Sequence, residues 1–469
     1  MDTIQDLYAR ETSGPKYRAL ASAIRQAVTG GAMAPGDRLP PVRDLAWRLQ
    51  ITPGTVARAY TILTDEGALV AEVGRGTFVA AAAEPTRPLT GIEVDAVRHN
   101  QGGDTHEVNL VSPHLPDVGQ VALIRALLAQ IAQDPPSGVM HYPGHASGRA
   151  ARQAVVGYLA DTMLARLDAE DIVLAHGAQN AVMMVMQAVL TGRRPVVLVE
   201  ELAYPGYRRA ADLLRADVVP VPMDAHGVIP EALEAIARQH QAQLLCLSAE
   251  VQNPLLMAMP TERREAVAEI ARRTDLQIVE DDCYRIGPPS GPSFRALAPE
   301  RGWYVASISK RLTPALRFGF AVAPEGRAAA LRRTAEGGFF GLATPITDLA
   351  AALLTHPRLP ALQQALRETV ADHVRAIVNA LGRYDLKWRE DALYVWLNLP
   401  PGWRASAFAR AAEAQGVQIR TAEDYADRNA NTPHAVRIAV NAGVSRRSFD
   451  AALDRLRHLL DNPPERIAV

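Results

Sequence analysis

From residue 106 onward the sequence alternates short apolar runs with stretches of helical periodicity, and nothing else in it restricts the fold as strongly. The runs PVVLVE, QLLCLS, QIVED and WYVASIS are too short for helices and carry no polar alternation. They therefore read as parallel strands covered on both faces. Strand, loop and helix in repetition make an α/β doubly wound sheet, in which ligands collect beyond the carboxyl ends of the strands. The last hundred residues depart from this pattern: ALYVWLNLP and AVRIAV flank helical stretches, which suggests a smaller α+β subdomain over about 360–469.

What stands just past each strand end is chemically specific. Tyr204 follows PVVLVE, Asn253 follows QLLCLS, Asp281 ends QIVED and Lys310 follows WYVASIS. An aromatic, an amide, a carboxylate and an amine on one edge suit pyridoxal 5′-phosphate. The amine forms a Schiff base, the carboxylate keeps the ring nitrogen protonated, the aromatic stacks and the amide bonds the ring hydroxyl. Gly177, Ala178 and Gln179 open the helical run NAVMMVMQAVL and offer free N–H groups to a phosphate. Arg317 adds a bidentate cation, and Ser307 and Ser309 add hydroxyls. Taken singly, each residue has a plainer reading. Asp281 between Glu280 and Asp282 also suits a metal site or a charged loop, Tyr204 suits the core, and a lysine after a strand suits solvent.

Composition narrows the choice of amine. Of 50 Lys plus Arg, only Lys16, Lys310 and Lys387 are lysine. Lys16 opens the first helix of the N-terminal segment and Lys387 lies in the charged stretch DLKWRED, which leaves Lys310 as the candidate amine if a Schiff base forms. Two cysteines, Cys246 and Cys283, make neither a disulfide framework nor a metal-ligand spacing. No apolar run approaches the ~20 residues that cross a bilayer, and the N-terminus lacks a signal peptide's apolar core, so a cytoplasmic protein is expected.

Residues 16–80 follow a different pattern and carry eight positive and five negative side chains against a net charge of −1 for the whole chain. Tyr17, Leu20, Ala21, Ile24 and Val28 fall at helical spacing, as do Val42, Leu45, Ala46 and Leu49, and Val56, Ala59, Tyr60 and Leu63. GGAMAPGDRLP separates the first two helices and QIT the second and third, with Thr52 and Pro53 as N-cap and first-turn residue. GALVAEVGRGTFVA then alternates around a glycine-rich tip, as a hairpin does. Three helices with a tight turn before the third, followed by a hairpin, form a winged helix-turn-helix. With Val56, Tyr60 and Leu63 facing inward, Thr55 and Arg58 face the DNA groove, and Gly74, Arg75 and Gly76 bring a guanidinium to the wing tip. Residues 81–105 show Ala, Pro and Gly without periodicity, as a linker does.

The run PGDRLPPVRDLAWRLQITPGTVARAYTILTDEGALVAEVGRGTFV resembles the DNA-binding domain of GntR regulators. That resemblance implies DNA contacts at Arg43, Thr52, Thr55, Arg58, Gly74 and Arg75. Pro53 and Gly54 stand where that family usually has polar or basic residues.

Residues 106–469 resemble the fold-type I aminotransferases through HGAQNAV, EELAYPGY, QNPL, EDDCY, SISKRLTPALRFG and VRIAV. By that resemblance Lys310 binds the cofactor aldehyde and Asp281 its ring nitrogen, Tyr284 and Asn253 reach the 3-hydroxyl, and Tyr204 stacks. Ser307, Ser309, Arg317 and the Ala178 and Gln179 amides hold phosphate, Arg437 takes an amino acid's α-carboxylate, and Tyr142 crosses a dimer interface to the neighbour's phosphate. Leu202 replaces the family's usual Pro and Leu256 its usual Gly.

The two halves in this order resemble the MocR group of GntR regulators. The resemblance implies a DNA-binding domain at 13–81, a linker at 82–105 and an aminotransferase-like domain at 106–469. It further implies a homodimer that binds double-stranded operator DNA and senses a small amine, an amino acid or pyridoxal 5′-phosphate itself through aldimine formation at Lys310. The competing reading is a working aminotransferase with an accessory DNA-binding domain.

Overall fold

The computed structural model describes residues 2–10, 15–34, 36–65, 68–72, 76–79, 104–427, 430 and 432–463. It divides into two compact units, Met1–Asp95 and Ala96–Val469. Most of the linker read from the sequence, and the wing-tip residues Gly74 and Arg75, lie outside the described residues.

The first unit contains helices α1 (Asp2–Arg10), α2 (Lys16–Thr29), α3 (Val42–Arg48) and α4 (Pro53–Asp65), then strands β1 (Leu69–Glu72) and β2 (Gly76–Val79). The strands pair antiparallel from Leu69↔Val79 to Glu72↔Gly76, the expected wing. Proline ends the α2–α3 connection, and Thr52 starts α4: its Oγ1 accepts the Thr55 N–H at 3.3 Å. The inward residues of three helices, Leu20, Ile24, Leu45, Val56 and Leu63, meet in one buried cluster. Helix α1, which the periodicity did not announce, adds Ile4 to that cluster.

In the second unit, seven strands form the main sheet among the described residues: β3 (Ile172–Ala175), β4 (Val196–Glu200), β5 (Asp217–Val221), β6 (Leu244–Leu247), β7 (Gln277–Asp281), β8 (Gly302–Ser307) and β9 (Gly319–Val322). Their order is β3-β9-β8-β7-β6-β4-β5, with β9 antiparallel to both of its neighbours. The four apolar runs of the sequence are β4, β6, β7 and β8, mutually parallel as read. Val199, Cys246, Val279 and Val305 enter one core cluster, while their chain neighbours Leu198, Leu245 and Ile278 enter another. That is the two-residue alternation of strands buried on both faces. Helices α5 (Ala178–Val189) and α6 (Pro205–Leu213) follow β3 and β4.

The long helix α7 (Leu359–Leu381) leads into a smaller sheet of β10 (Leu386–Lys387), β11 (Tyr394–Asn398), β12 (Arg420–Thr421) and β13 (Ala435–Ala439), ordered β10-β11-β13-β12 and antiparallel throughout. This part is not purely C-terminal. Val108–Asn109 pairs in parallel with Val417–Gln418, and His114 bridges to Asn441, so the segment that opens the second unit packs with its end. No helix among the described residues is long and apolar enough to cross a membrane.

Candidate cofactor site and nucleic-acid interface

Strand register brings the expected cofactor residues to one sheet edge. Ser307 stands opposite Gly319, and Gly319 opposite Ala175, so the ends of β8 and β3 flank the start of β9. The chain then turns at Gly177, with φ +80°, into α5, whose first residues are Ala178 and Gln179. That φ favours glycine at Gly177, and a Cβ there would lie 2.8 Å from Arg317 Nη2 and so displace the guanidinium. Arg317 thus caps the opening of α5, and its Nη2 donates to the His176 carbonyl at 3.4 Å. The Ser307 hydroxyl accepts the Ser309 N–H at 3.4 Å, while the buried Ser309 hydroxyl has no hydrogen-bond partner among the described residues. A helix N-terminus, a guanidinium and a buried hydroxyl lacking a partner make a cradle that could hold an oxyanion.

Asp281 closes β7. Its Oδ1 accepts the Cys283 N–H at 3.1 Å and its Oδ2 the Tyr207 hydroxyl at 3.3 Å, which in turn stands 3.2 Å from Ser248 Oγ. Part of its surface is accessible, yet the enclosing protein strips enough water to raise its pKa to about 6, against the lowering pull of those hydrogen bonds. Among the described residues Asp281 forms no ion pair. Glu200, buried at the end of β4, is pushed by burial to about 8, although the Gln252 amide and the Ser248 N–H both donate to its Oε2 at 3.2 Å.

The third group centres on amines and aromatics. Lys310 Nζ stands 3.5 Å from Ser112 Oγ and 5.7 Å from the Tyr284 ring centre. Tyr284 meets Tyr394 edge to face at 5.1 Å. Arg437, fully buried on β13, donates through Nη1 to Asn253 Oδ1 at 2.8 Å and through Nη2 to the Val111 carbonyl at 2.6 Å. Its guanidinium carbon lies 4.8 Å from the Tyr394 ring, 5.2 Å from Tyr425 and 6.0 Å from Tyr284. The Asn253 amide nitrogen is buried without a partner among the described residues. Tyr204 stands at the N-cap of α6, edge-on to Tyr207 at 5.6 Å.

These groups suit pyridoxal 5′-phosphate on structural grounds. Ser309 and Asn253 each hold a buried polar atom in want of a partner, which a phosphate oxygen and a ring hydroxyl would satisfy. Asp281 is a carboxylate whose desolvation a protonated ring nitrogen would offset. The adjacent acids do not converge on a metal: Glu280 accepts the Phe294 N–H at 2.7 Å, whereas Asp282 accepts from Arg285 at 2.7 Å and Arg311 at 2.9 Å. Tyr142 is 88% exposed, with its ring 6.1 Å from Phe340 in its own chain. Of the two departures noted in the sequence, Leu256 occupies a left-handed φ of +68°, and the Leu202 carbonyl accepts from Gln252 Nε2 at 2.6 Å.

Sequence reasoning missed Ser112, Tyr207, Glu200, Tyr394 and Tyr425. Tyr207 had a usable signal, three residues from Tyr204 on the same helix face. Ser112 had none, being 198 residues from Lys310.

In the first unit, Arg43, Thr52 and Arg58 are exposed and Thr55 is half-buried, while Val56, Tyr60 and Leu63 face the core. Arg58 is not a free surface cation. Its guanidinium carbon lies 4.0 Å over the ring of Tyr17 on α2, a residue the sequence reading had assigned only to helical spacing.

Comparison with known proteins agrees with both units. Residues 106–456 match the family "Aminotransferase class I and II", and residues 16–79 match "Bacterial regulatory proteins, gntR family". The uncharacterized HTH-type transcriptional regulator YdeF of Bacillus subtilis is 26% identical over 462 residues, 96% of this chain and 95% of that protein. The HTH-type pyridoxine biosynthesis transcriptional regulator PdxR of Corynebacterium glutamicum is 29% identical over 66% of this chain and 67% of its own. The vitamin B6 salvage pathway transcriptional repressor PtsJ of Salmonella typhimurium is 26% identical over 88% of this chain and 91% of its own. Among solved structures, an archaeal alanine:glyoxylate aminotransferase shares the fold with a TM-score of 0.68 and 21% identity, over 76% of this chain and 91% of that one.

Proposed function

We propose, since this chain belongs to the aminotransferase class I and II family and carries a gntR-family domain ahead of it, that this MocR-type transcription regulator senses an amine, an amino acid or pyridoxal 5′-phosphate at Lys310. The sensed molecule alters how the N-terminal domain holds double-stranded operator DNA in the cytoplasm. Pyridoxal 5′-phosphate, when bound, supplies an aldehyde that amines attack and a ring that withdraws electrons.

The chain's own residues divide the remaining work. Arg317, Ser307, Ser309 and the first amides of α5 bind the phosphate. Asp281 holds a proton at the ring nitrogen, and Tyr207 orients Asp281. Asn253 and Tyr284 donate to the ring oxygen, and Tyr204 covers the ring. Lys310 Nζ would be the amine that holds the cofactor aldehyde, and Arg437 would orient an amino acid through its carboxylate. The observation that carries this reading is the pair of buried polar atoms without partners among the described residues, Ser309 Oγ, next to Lys310 in the chain, and Asn253 Nδ2, on the amide that Arg437 holds. A coupling of about 1–3 kcal/mol between the two domains is enough to change operator affinity ~5–150-fold.

A homodimer supplies the two DNA-binding domains. Its support is the exposed apolar surface of Val139, Met140, Tyr142 and Phe340, which suits burial against a second copy with Tyr142 reaching the neighbour's cradle. The relatives named for pyridoxine biosynthesis and vitamin B6 salvage favour the cofactor itself as effector. The intact set of Lys310, Asp281 and Arg437 favours a second reading, residual aminotransferase activity.

Absorbance titration of the full chain against amino acids and amines, with and without operator DNA, tests the proposal. Lys310→Ala is expected to abolish the visible band of lysine-bound cofactor in a folded protein. Retention of that band overturns the assignment. Rapid amino acid turnover unaffected by removing residues 1–80, with no operator binding, makes the chain an enzyme instead.

A further inference from the structure

A second polar cavity, of about 400 Å³, lies beside the same loops but draws on the residues next to the cofactor candidates. Arg311 follows Lys310 and Arg285 follows Tyr284, and both line this cavity together with Arg367 of α7.

The charges around it are unevenly matched. Arg311 Nη2 donates to Asp282 Oδ2 at 2.9 Å, and Arg285 Nε donates to the same oxygen at 2.7 Å, so two buried guanidiniums share one carboxylate oxygen. Arg285 completes its bonding with the Gly287 carbonyl at 3.2 Å and Thr162 Oγ1 at 2.8 Å. Arg311, more than nine-tenths buried, has an Nε without a hydrogen-bond partner among the described residues, with the Tyr158 ring 5.9 Å from its guanidinium carbon. Among the described residues Arg367 bonds neutral groups alone, the Ile286 carbonyl at 3.5 Å and Gln364 Oε1 at 2.5 Å. Asp161 is the one carboxylate among the lining residues, and it is exposed. Three cations therefore face two carboxylates, and a buried guanidinium short of a partner is costly unless something anionic completes it.

We propose that this cavity binds a small dianion carrying carboxylate or phosphate groups, held by Arg311, Arg285 and Arg367, separately from Arg437 and from the cradle at α5. Guanidinium forks match both oxyanions, and the volume admits a small metabolite. The site joins two parts that effector binding has reason to couple. Arg367 rides on α7, the helix that leads into the smaller sheet, while Arg311 adjoins Lys310. An anion bridging them links the placement of α7 to the loop that carries the cofactor lysine.

Isothermal titration calorimetry of the full chain with inorganic phosphate, and separately with succinate, tests this. At least one of the two is expected to bind saturably, with Arg367→Gln weakening it roughly tenfold or more, the effect of losing one charge-assisted hydrogen bond. Arg311→Gln should do the same. Should that buried substitution impair folding, Arg367→Gln on the helix surface still decides the matter. Saturation by phosphate points to a phosphorylated ligand and by succinate to a dicarboxylate. Because phosphate also fits the α5 cradle and succinate also suits Arg437, Arg317→Gln and Arg437→Gln are titrated in parallel. Absence of saturable binding by either probe overturns the proposal, as does binding that survives Arg367→Gln but is lost in one of those two variants.

Discussion

The guanidinium of Arg437 donates to the side-chain oxygen of Asn253 at 2.8 Å across 184 residues of chain, joining the expected effector carboxylate site to the expected cofactor ring site. Each residue holds the other's orientation. Asn253 is left with its amide nitrogen for the ring, and Arg437 is steadied beneath three tyrosines.

Arg437→Lys keeps the charge but not the planar fork. It is expected to weaken amino acid titrations of the visible absorbance by roughly 10–100-fold while leaving titrations with simple amines nearly unchanged. Equal weakening of both ligand classes would show that Arg437 does not read a carboxylate.

Gly319→Ala is aimed at the phosphate cradle from behind. Its Cβ would lie 2.6 Å from the Gly177 carbonyl carbon and 2.9 Å from the Ala178 nitrogen, backbone atoms that have to move. The expected outcome is a folded protein whose affinity for pyridoxal 5′-phosphate falls at least tenfold, measured by equilibrium dialysis. Unaltered affinity would remove α5 from the site.

The raised carboxyl pKa values set a pH dependence with a definite sign. Asp281 keeps its proton to about 6 and Glu200 to about 8 in the folded chain, both above the ordinary carboxylate range of ~4. Between those limits the folded state binds more protons than the unfolded state, so stability falls as pH rises and levels off above pH 8. The melting temperature of cofactor-free protein should therefore decline from pH 5 to pH 8. Burial pushes Glu280 to about 8 as well, so Glu200→Gln should roughly halve the decline above pH 6, and an unchanged slope there would contradict the burial of Glu200. Saturation with pyridoxal 5′-phosphate should flatten the part below pH 6, because a protonated ring nitrogen favours ionised Asp281.

Tyr17→Leu tests the support of Arg58 without altering a charge. Removing the stacked ring is expected to weaken operator binding less than Arg58→Ala, by about 0.5–1 kcal/mol, the range of an exposed cation–π contact. Arg58→Ala should also lower the salt dependence of binding by about one phosphate's worth. Gel-shift titrations at several salt concentrations distinguish the two, and no loss with either variant would count against α4 as the DNA-facing helix.

Much of this protein was legible in its sequence because the relevant physics is local. Apolar runs of strand length announced β4, β6, β7 and β8. Helical spacing announced α2, α3 and α4, and Thr52 with Pro53 marked where α4 begins. Even the unusual Leu256, noted as standing where a glycine is expected, falls at a positive φ, where a side chain is unfavourable and glycine is not.

Tertiary structure alone decided the rest. Ser112 reaches Lys310 across 198 residues, and Val111 reaches Arg437 across 326, because the opening segment of the second unit packs with the smaller sheet. The pairing of Tyr17 with Arg58 depends on how α2 crosses α4, and the sharing of Asp282 by Arg285 and Arg311 on the packing of two loops. Periodicity states which face of an element is buried. It does not state which distant element covers that face, and the partners of Lys310 and Arg437 are a property of that packing.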